Sequence, residues 1–583
     1  MPHSLHPLKT TALWLSPALL LALTACGGGS DAPATPTPPV SVDKLRLSGT
    51  VARAEPLNDA DVQARCAVGQ GSARSVGSGN YEIVIESGRL PCVIRAAQAG
   101  SAPVTLHSVA ADTGNMTAAV ANVSTVSELI VASLTAAEPA ALFTQASATP
   151  ASLGTAVTTD KLSTATDAVT TTLKDGGVDL SQAGNPLTAS LVAGASGNDL
   201  GKGLVSLDKA LSTSGTSLTS MSNTVAANST TATPTSTVVA ASSTLPAAAQ
   251  LQAHAANCKA LRSGNFRLVG QPGEPNGVRV RIDASTLVGT DLSDNSELVK
   301  LVADGPCKYT QADGTQTVFT TSGVGVLRLG GGTEPYVMAL LLPEQALALS
   351  DFAGSWKGLG FETEEGAFVT AMLRYEFNAA GQAVEIMYAT RPDLTAFLSG
   401  KLGDAGFPPI NLSPQAEGGF LLSNSRDNWT QRIFAYRNGR GQLMWTTLNY
   451  DHTLGMVFGQ NATVIQPSVN STSNAWNLTM NLQRLAPGAI SESSNTVLSV
   501  DGIVSYLRRA IINLTTGVTR EETIRINAPQ TDFTERVAQT STDSAGNPTT
   551  TSRWVGSAVL GHGFSSVVFP ENSRLLSVGK QTE

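Results

Sequence analysis

Charge is scarce in this chain of 583 residues: Asp, Glu, Lys and Arg together make only 14% of it, and the formal charge is −8. No basic block occurs. A nucleic-acid partner is therefore not expected, because phosphate binding needs clustered Lys and Arg. Histidine is sparse too. Beyond residue 25 stand His107, His254, His452 and His562, no two at metal-ligand spacing. The five cysteines contain no CxxC, and their wide spacing argues against zinc. No heptad persists, which argues against a coiled coil. The expectation is no metal and no cofactor.

Catalytic patterns are also missing. Ser206-Leu207-Asp208-Lys209 has the spacing in which a lysine can activate a serine. The KTG such sites need is absent, and Ser196-Gly197-Asn198 precedes the pair instead of following it. Gly201-Lys202-Gly203 has Ser196 where a phosphate loop needs its first glycine, and no Ser or Thr follows the lysine. Gly561-His562-Gly563-Phe564-Ser565 puts histidine where GxSxG needs the nucleophile. Tyr450-Asp451-His452 sets a carboxylate beside an imidazole, but with no serine or cysteine nearby a surface turn is expected. Glu362, Glu364 and Glu365 lack the spacing of a Ca²⁺ loop. Trp429 and Trp445 suit either sugar stacking or core packing. No catalytic residue is assigned, and the chain is not expected to be an enzyme. A hydrolase assembled from distant residues stays open, since triads are defined by geometry. It requires His452 or His562 to reach both a serine and a carboxylate in one cleft.

What the chain does have begins at its N-terminus. Lys9 precedes a mostly apolar run, Thr11 to Ala25, which is short and contains Pro17. That is a signal sequence rather than a spanning helix. It ends Leu23-Thr24-Ala25-Cys26, which resembles the lipobox of bacterial lipoproteins. The resemblance implies cleavage before Cys26, acylation (palmitate among the chains) and membrane attachment through the lipid. Several acyl chains anchor stably because each buried methylene contributes roughly 0.8 kcal/mol. Gly27 follows the cysteine, not Asp, which resembles lipoproteins sorted to the outer membrane. Facing the periplasm and facing the cell surface both remain open. Residues 26–42 form the lipidated cysteine and a tether, flexible at its glycines and extended at its prolines.

Export permits disulfides. With Cys26 lipidated, Cys66, Cys92, Cys258 and Cys307 remain, falling into two local pairs. Cys66–Cys92 and Cys258–Cys307 are the expected bridges, although three connectivities are possible.

The fold class expected is mainly β: a small N-terminal β-sandwich, a helical and low-complexity middle, and a large C-terminal antiparallel β domain, barrel-like or sandwiched. In 43–121, Leu45 and Leu47 alternate with polar residues, as do Tyr81, Ile83 and Ile85. Gly49, Val51, Pro56-Leu57, Ala60, Val62, Gly79 and Tyr81 resemble the pattern of carboxypeptidase regulatory-like (transthyretin-like) modules, which implies a structural or interaction role. Residues 122–225 read as helical. Thr125-Val126-Ser127-Glu128 offers a capping box, and helical stretches are expected at 155–174 and 200–224, the latter with Leu204, Leu207 and Leu211 on one stripe. Residues 226–257 read as a linker with a low-complexity stretch at 226–248.

Residues 258–583 read as antiparallel β, one domain or two with a break near 486–496. Val278, Val280 and Ile282 alternate with charged residues, and Trp476, Leu478, Met480 and Leu482 with polar ones. A transmembrane barrel is disfavoured by the lack of an aromatic girdle. Gly354-Ser355-Trp356 resembles the lipocalin G-x-W signature, with a core tryptophan after a tight turn as the plainer reading. The function expected is that of an outer-membrane-anchored lipoprotein of the cell envelope. It would bind an envelope, glycan or protein partner without catalysis; a hydrolase and a structural or adhesive surface protein are the alternatives.

Overall fold

The computed structural model describes residues 43–579, apart from 101–102, 115–116, 230–242, 331–336, 365–366, 391–397, 461–466, 482–488, 502–505, 531–532, 537–538, 543–547, 552, 560–561 and 570–572. Cys26 and its tether lie outside the described residues. The fold is mainly β, with two N-terminal sheets, a helical layer and large antiparallel sheets that include a closed barrel.

The first sheet places Lys44–Ala52 between Asn80–Glu86 and Ala118–Val120. The second runs Gln70–Arg74, Asp61–Val68, Arg89–Gln98, Val104–Ala110. The apolar alternation buries Leu45, Leu47, Tyr81, Ile83 and Ile85 in one core with Val62, Ile94 and Leu106. Gly49 is required by contact: a Cβ there would lie 2.3 Å from the Ala121 carbonyl oxygen. The same oxygen accepts a 2.6 Å hydrogen bond from the buried Tyr81 hydroxyl. A disulfide joins the paired residues Cys66 and Cys92 across the second sheet.

Among the described residues seven α-helices follow: α1 Thr125–Thr135, α2 Pro139–Ala148, α3 Leu153–Ala156, α4 Thr159–Asp175, α5 Asp199–Ser214, α6 Leu218–Ala227 and α7 Ala247–Gln250. The capping box sits one residue earlier than the sequence suggests. Ser124 is the N-cap and exchanges hydrogen bonds with Ser127. Glu128 turns instead to His107 of the second sheet, accepting from its backbone N–H at 2.6 Å and meeting Nδ1 at 3.0 Å. The stretch expected at 200–224 is two helices, because Gly215 adopts φ +65° and ends α5. Leu204, Leu207 and Leu211 do form one buried stripe, packed with α1, α4 and the outer face of the second sheet through Val93 and Val109. Of the segment read as a linker, 243–257 contains α7 and places Leu245, Ala247 and Leu251 in buried positions.

Three antiparallel meanders complete the chain. In each, the first strand pairs with the last. The first, 264–343, is a nine-stranded sheet in which Gly264–Val269 pairs with Val337–Pro343. The second, 354–460, repeats this strand order, and Gly354–Glu364 pairs with Leu454–Gln460. The third, 472–579, closes as an eight-stranded barrel through Thr472–Asn481 and Ser573–Gly579, with the hairpin Gln539–Thr542/Pro548–Thr551 inserted. The sheets change at 344–353 and 461–471, while 489–496 lies inside the barrel strand Ala489–Asp501. A second disulfide, Cys258–Cys307, ties the approach strand Cys258–Arg262 to the first meander.

Trp476, Leu478 and Met480 face out of the barrel, onto a core shared with Leu340 of the first meander and Met444 of the second. Its interior holds Ile524, Ile526, Trp554 and Val567. An eight-stranded barrel is just wide enough for side chains to fill, so this is a packed core. Trp356 is buried at the start of its strand, directly after the turn Leu349–Phe352, and its Nε1 donates to the Phe352 carbonyl at 2.7 Å.

Candidate functional site

The helical layer, the first meander and the second meander meet around a cleft of about 1090 Å³. Val169 of α4 and Asn228 after α6 line one side. Arg262, Arg267 and Leu342 line the second, and Phe434, Tyr436 and Asn438 the third.

Arginines fix these walls. Arg262 is 9% exposed and donates to the carbonyls of Lys259, Ser214 and Gln252. Ser214 ends α5, so the guanidinium sits on the negative end of that helix. Burial lowers its pKa to about 10. Arg267 is 8% exposed and reaches Glu344, the Asn276 carbonyl and the Glu417 carbonyl. Burial lowers its pKa, opposed by Glu344. Arg279 grips the same Glu344 with two bonds of 2.9 Å, which raises its own pKa. Arg437 pairs with Asp351 at 2.6 Å, while Gln345 holds both the N–H and the carbonyl of Arg437. The first and second meanders are thus clamped through three arginines and one glutamine.

A second cleft, of about 890 Å³, lies between α4 and the edge strand Ala118–Val120. Thr166 and Thr170 of α4 line it, and their hydroxyls bond backbone carbonyls of their own helix.

The histidines bear on the expectation of a hydrolase assembled from distant residues. His562 stands in the turn between barrel strands Trp554–Val559 and Phe564–Phe569 and is 0% exposed. Its Nδ1 is 3.4 Å from the Ser322 hydroxyl, and its Nε2 is 3.0 Å from the Gln442 carbonyl. A carbonyl only accepts, so Nε2 carries the proton. Burial depresses the imidazole pKa to about 3. A serine is thus in reach, but the other partner is a carbonyl where a triad needs a carboxylate, and neither side chain is open to substrate. His452 lies in the turn before Leu454–Gln460 with φ +66°, and Asp451 beside it accepts from Thr453. Ser206 bonds the Lys202 carbonyl on α5. Trp445 is fully buried and stacks on Phe458 at 3.5 Å, and Trp429 is half-buried against the same core. Glu362 and Glu364 lie on Gly354–Glu364, and Glu365 falls outside the described residues. Among the described residues, no group of three His, Cys, Asp or Glu is placed to hold a metal.

Sequence reasoning missed the arginine clamps. The one visible trace was Arg279 alternating with Val278 and Val280. Glu344, Gln345 and Asp351 gave no signal, being loop residues far away in the chain.

No family model and no curated protein matches the chain. Solved structures that align weakly include the following two. One is a protein of unknown function of the DUF3598 family from Nostoc punctiforme, 11% identical over 41% of this chain and 100% of that one, with a TM-score of 0.14. The other is the isotype 1 transferrin binding protein B from serogroup B Neisseria meningitidis, 9% identical over 52% of this chain and 66% of that one, with a TM-score of 0.18. Neither likeness bears on what this chain binds.

Proposed function

We propose that this protein is an outer-membrane lipoprotein, acylated on Cys26, that acts as a non-enzymatic binding protein of the cell envelope and takes a protein segment in its large cleft. The anchor is supported by Lys9, the short apolar run and the lipobox-like Leu23-Thr24-Ala25-Cys26. The observation that carries the binding reading is the cleft of about 1090 Å³. Pockets for small ligands reach roughly 1,000 Å³, so the space suits a peptide segment. Walls braced by Arg262, Arg267 and Arg437, each tied to neighbouring carbonyls or carboxylates, are organised before the partner arrives, which reduces the entropy lost on binding. The lining rings Phe266, Phe420, Phe434 and Tyr436 are all buried. Glycan stacking therefore has no platform there, whereas Arg279 and Glu417 offer exposed polar groups at the rim. A purely structural or adhesive role is less favoured, because it calls for a surface without deep pockets.

The test has two parts. Wild type is expected to sediment with the outer membrane and Cys26→Ala to be released; a Cys26→Ala chain that still sediments refutes the anchor. A photoreactive residue at Glu417 is expected to give a discrete protein adduct in intact cells, unlike one at exposed Val76 in the N-terminal sandwich. Identical adducts from both sites, or none from Glu417, refute the cleft as the binding site.

A further inference from the structure

One wall of the cleft is backed by a histidine from the barrel. Ser322 and Gly323 belong to a turn of the first meander, and Tyr436 and Asn438 to a hairpin of the second. His562, from the barrel, reaches both. Its backbone carbonyl accepts from the Ser322 hydroxyl at 3.1 Å. Its ring meets Tyr436 edge-on at 5.6 Å, and Nε2–H donates to Gln442. The Tyr436 hydroxyl in turn donates to the Ser322 carbonyl at 2.6 Å. Three turns from three β bodies therefore converge on one imidazole.

We propose that His562 is an acid-sensitive pin: neutral, it holds the barrel against the two meanders and braces the cleft wall, and protonation releases that junction. This depends on the cleft being the binding site only for its consequence, which is that acid would loosen the wall the partner rests on.

The surroundings explain the sensitivity. The first meander presents the hydroxyls of Thr320 and Ser322 to this turn. The second presents the Tyr436 phenol, whose own pKa burial raises. The nearest charges on that hairpin are Arg437, paired with Asp351, and the exposed Arg440, both cationic. The barrel hairpin 554–569 contains no other ionisable residue. Among the described residues the recorded partners of the ring are a hydroxyl and a carbonyl, so an imidazolium here would lose its water without a carboxylate in contact.

The direction follows from linkage. The folded imidazole binds a proton only near pH 3, whereas an opened one binds it near its ordinary 6.5. Between those values the open form takes up the proton, so opening becomes easier as pH falls. From pH 7.5 to 5.0 the opening equilibrium should rise about thirty-fold.

Hydrogen exchange on the full chain without ligand tests this. Peptides covering 320–326, 436–444 and 554–564 are compared with 44–52 as an internal reference, after correction for intrinsic exchange. Wild type should show the thirty-fold rise and His562→Gln, which keeps a donor to Gln442, should stay flat. An unchanged wild type, or an equal rise in the variant, overturns the proposal. Should the variant not fold, NMR titration of the wild-type ring decides: a His562 signal titrating above about pH 6 in the folded protein overturns it, and one silent down to pH 5 upholds it. No outcome involves the binding partner, so failure of the cleft reading would be seen separately.

Discussion

Replacing Glu522 should loosen the barrel more than any single change on its surface. Glu522 is 3% exposed and points into the barrel on the face shared with Ile524 and Ile526. Its Oε1 accepts from Arg509 at 2.7 Å and its Oε2 from Arg536 at 2.8 Å. Arg536 is 4% exposed, and both guanidiniums lie within 6 Å of the Trp554 ring centre, at 5.8 and 5.9 Å. Glu522→Gln keeps the shape but removes the negative charge that both guanidiniums share. Breaking a buried pair from one side costs about 3–5 kcal/mol. Replacing a buried pair by apolar groups is often close to neutral, so Glu522→Leu with Arg536→Met should recover most of the loss, with Arg509 turning to water. A chain of several bodies does not unfold in one step, so the readout is hydrogen exchange in Tyr506–Asn513 and Thr519–Ile526. A Glu522→Gln effect below about 1 kcal/mol, or a double variant no better than the single, would refute the argument. Burial pushes this carboxyl up, but the two guanidiniums and their hydrogen bonds hold it below the usual glutamate range. Its contribution is therefore complete above the unfolded value and disappears as pH falls through the lower folded value.

Other substitutions separate the remaining devices. Tyr81→Phe strands the buried Ala121 carbonyl and should cost about 1–3 kcal/mol by thermal or urea unfolding of the N-terminal sandwich. Replacing Cys258 and Cys307 by alanine opens a loop of 49 residues and should cost about 4 kcal/mol, against about 3.5 for the 26-residue loop of Cys66 and Cys92. The measurement is the denaturation midpoint of each double variant. Arg267→Met should destabilise the meander junction by several kcal/mol because it leaves polar partners buried. Arg279→Met, on the solvent side of the same carboxylate, should cost under about 1 kcal/mol. Equal effects from the two would show that Glu344 alone holds the clamp.

Local pattern carried much of the fold. A strand turns alternate side chains to opposite faces, so Tyr81, Ile83 and Ile85 could be assigned to a core from spacing alone. The same held for Trp476, Leu478 and Met480, although only the tertiary structure showed that their buried face is the outside of a barrel. Spacing likewise grouped Leu204, Leu207 and Leu211, while Gly215 breaking that helical stretch is a backbone event the apolar stripe cannot register. The capping residue moved from Thr125 to Ser124 because Glu128 found a better use, bonding His107 on a strand far away in sequence.

The site was scarcely legible. Arg267, Glu344 and Glu417 come from three separate segments, and nothing local tells a loop glutamate that it will neutralise a buried guanidinium. His562 stood out in sequence for its flanking glycines, yet its environment is made by Ser322 and Gln442 from the other two meanders. By itself, the sequence determined what depends on neighbours along the chain: strand faces, helix stripes and the grouping of four cysteines into two local sets. The tertiary structure alone decided what depends on distant segments meeting: the closure of each meander on its first strand, the clamped cleft, and the desolvation that turns an ordinary imidazole into one neutral well below its usual pKa.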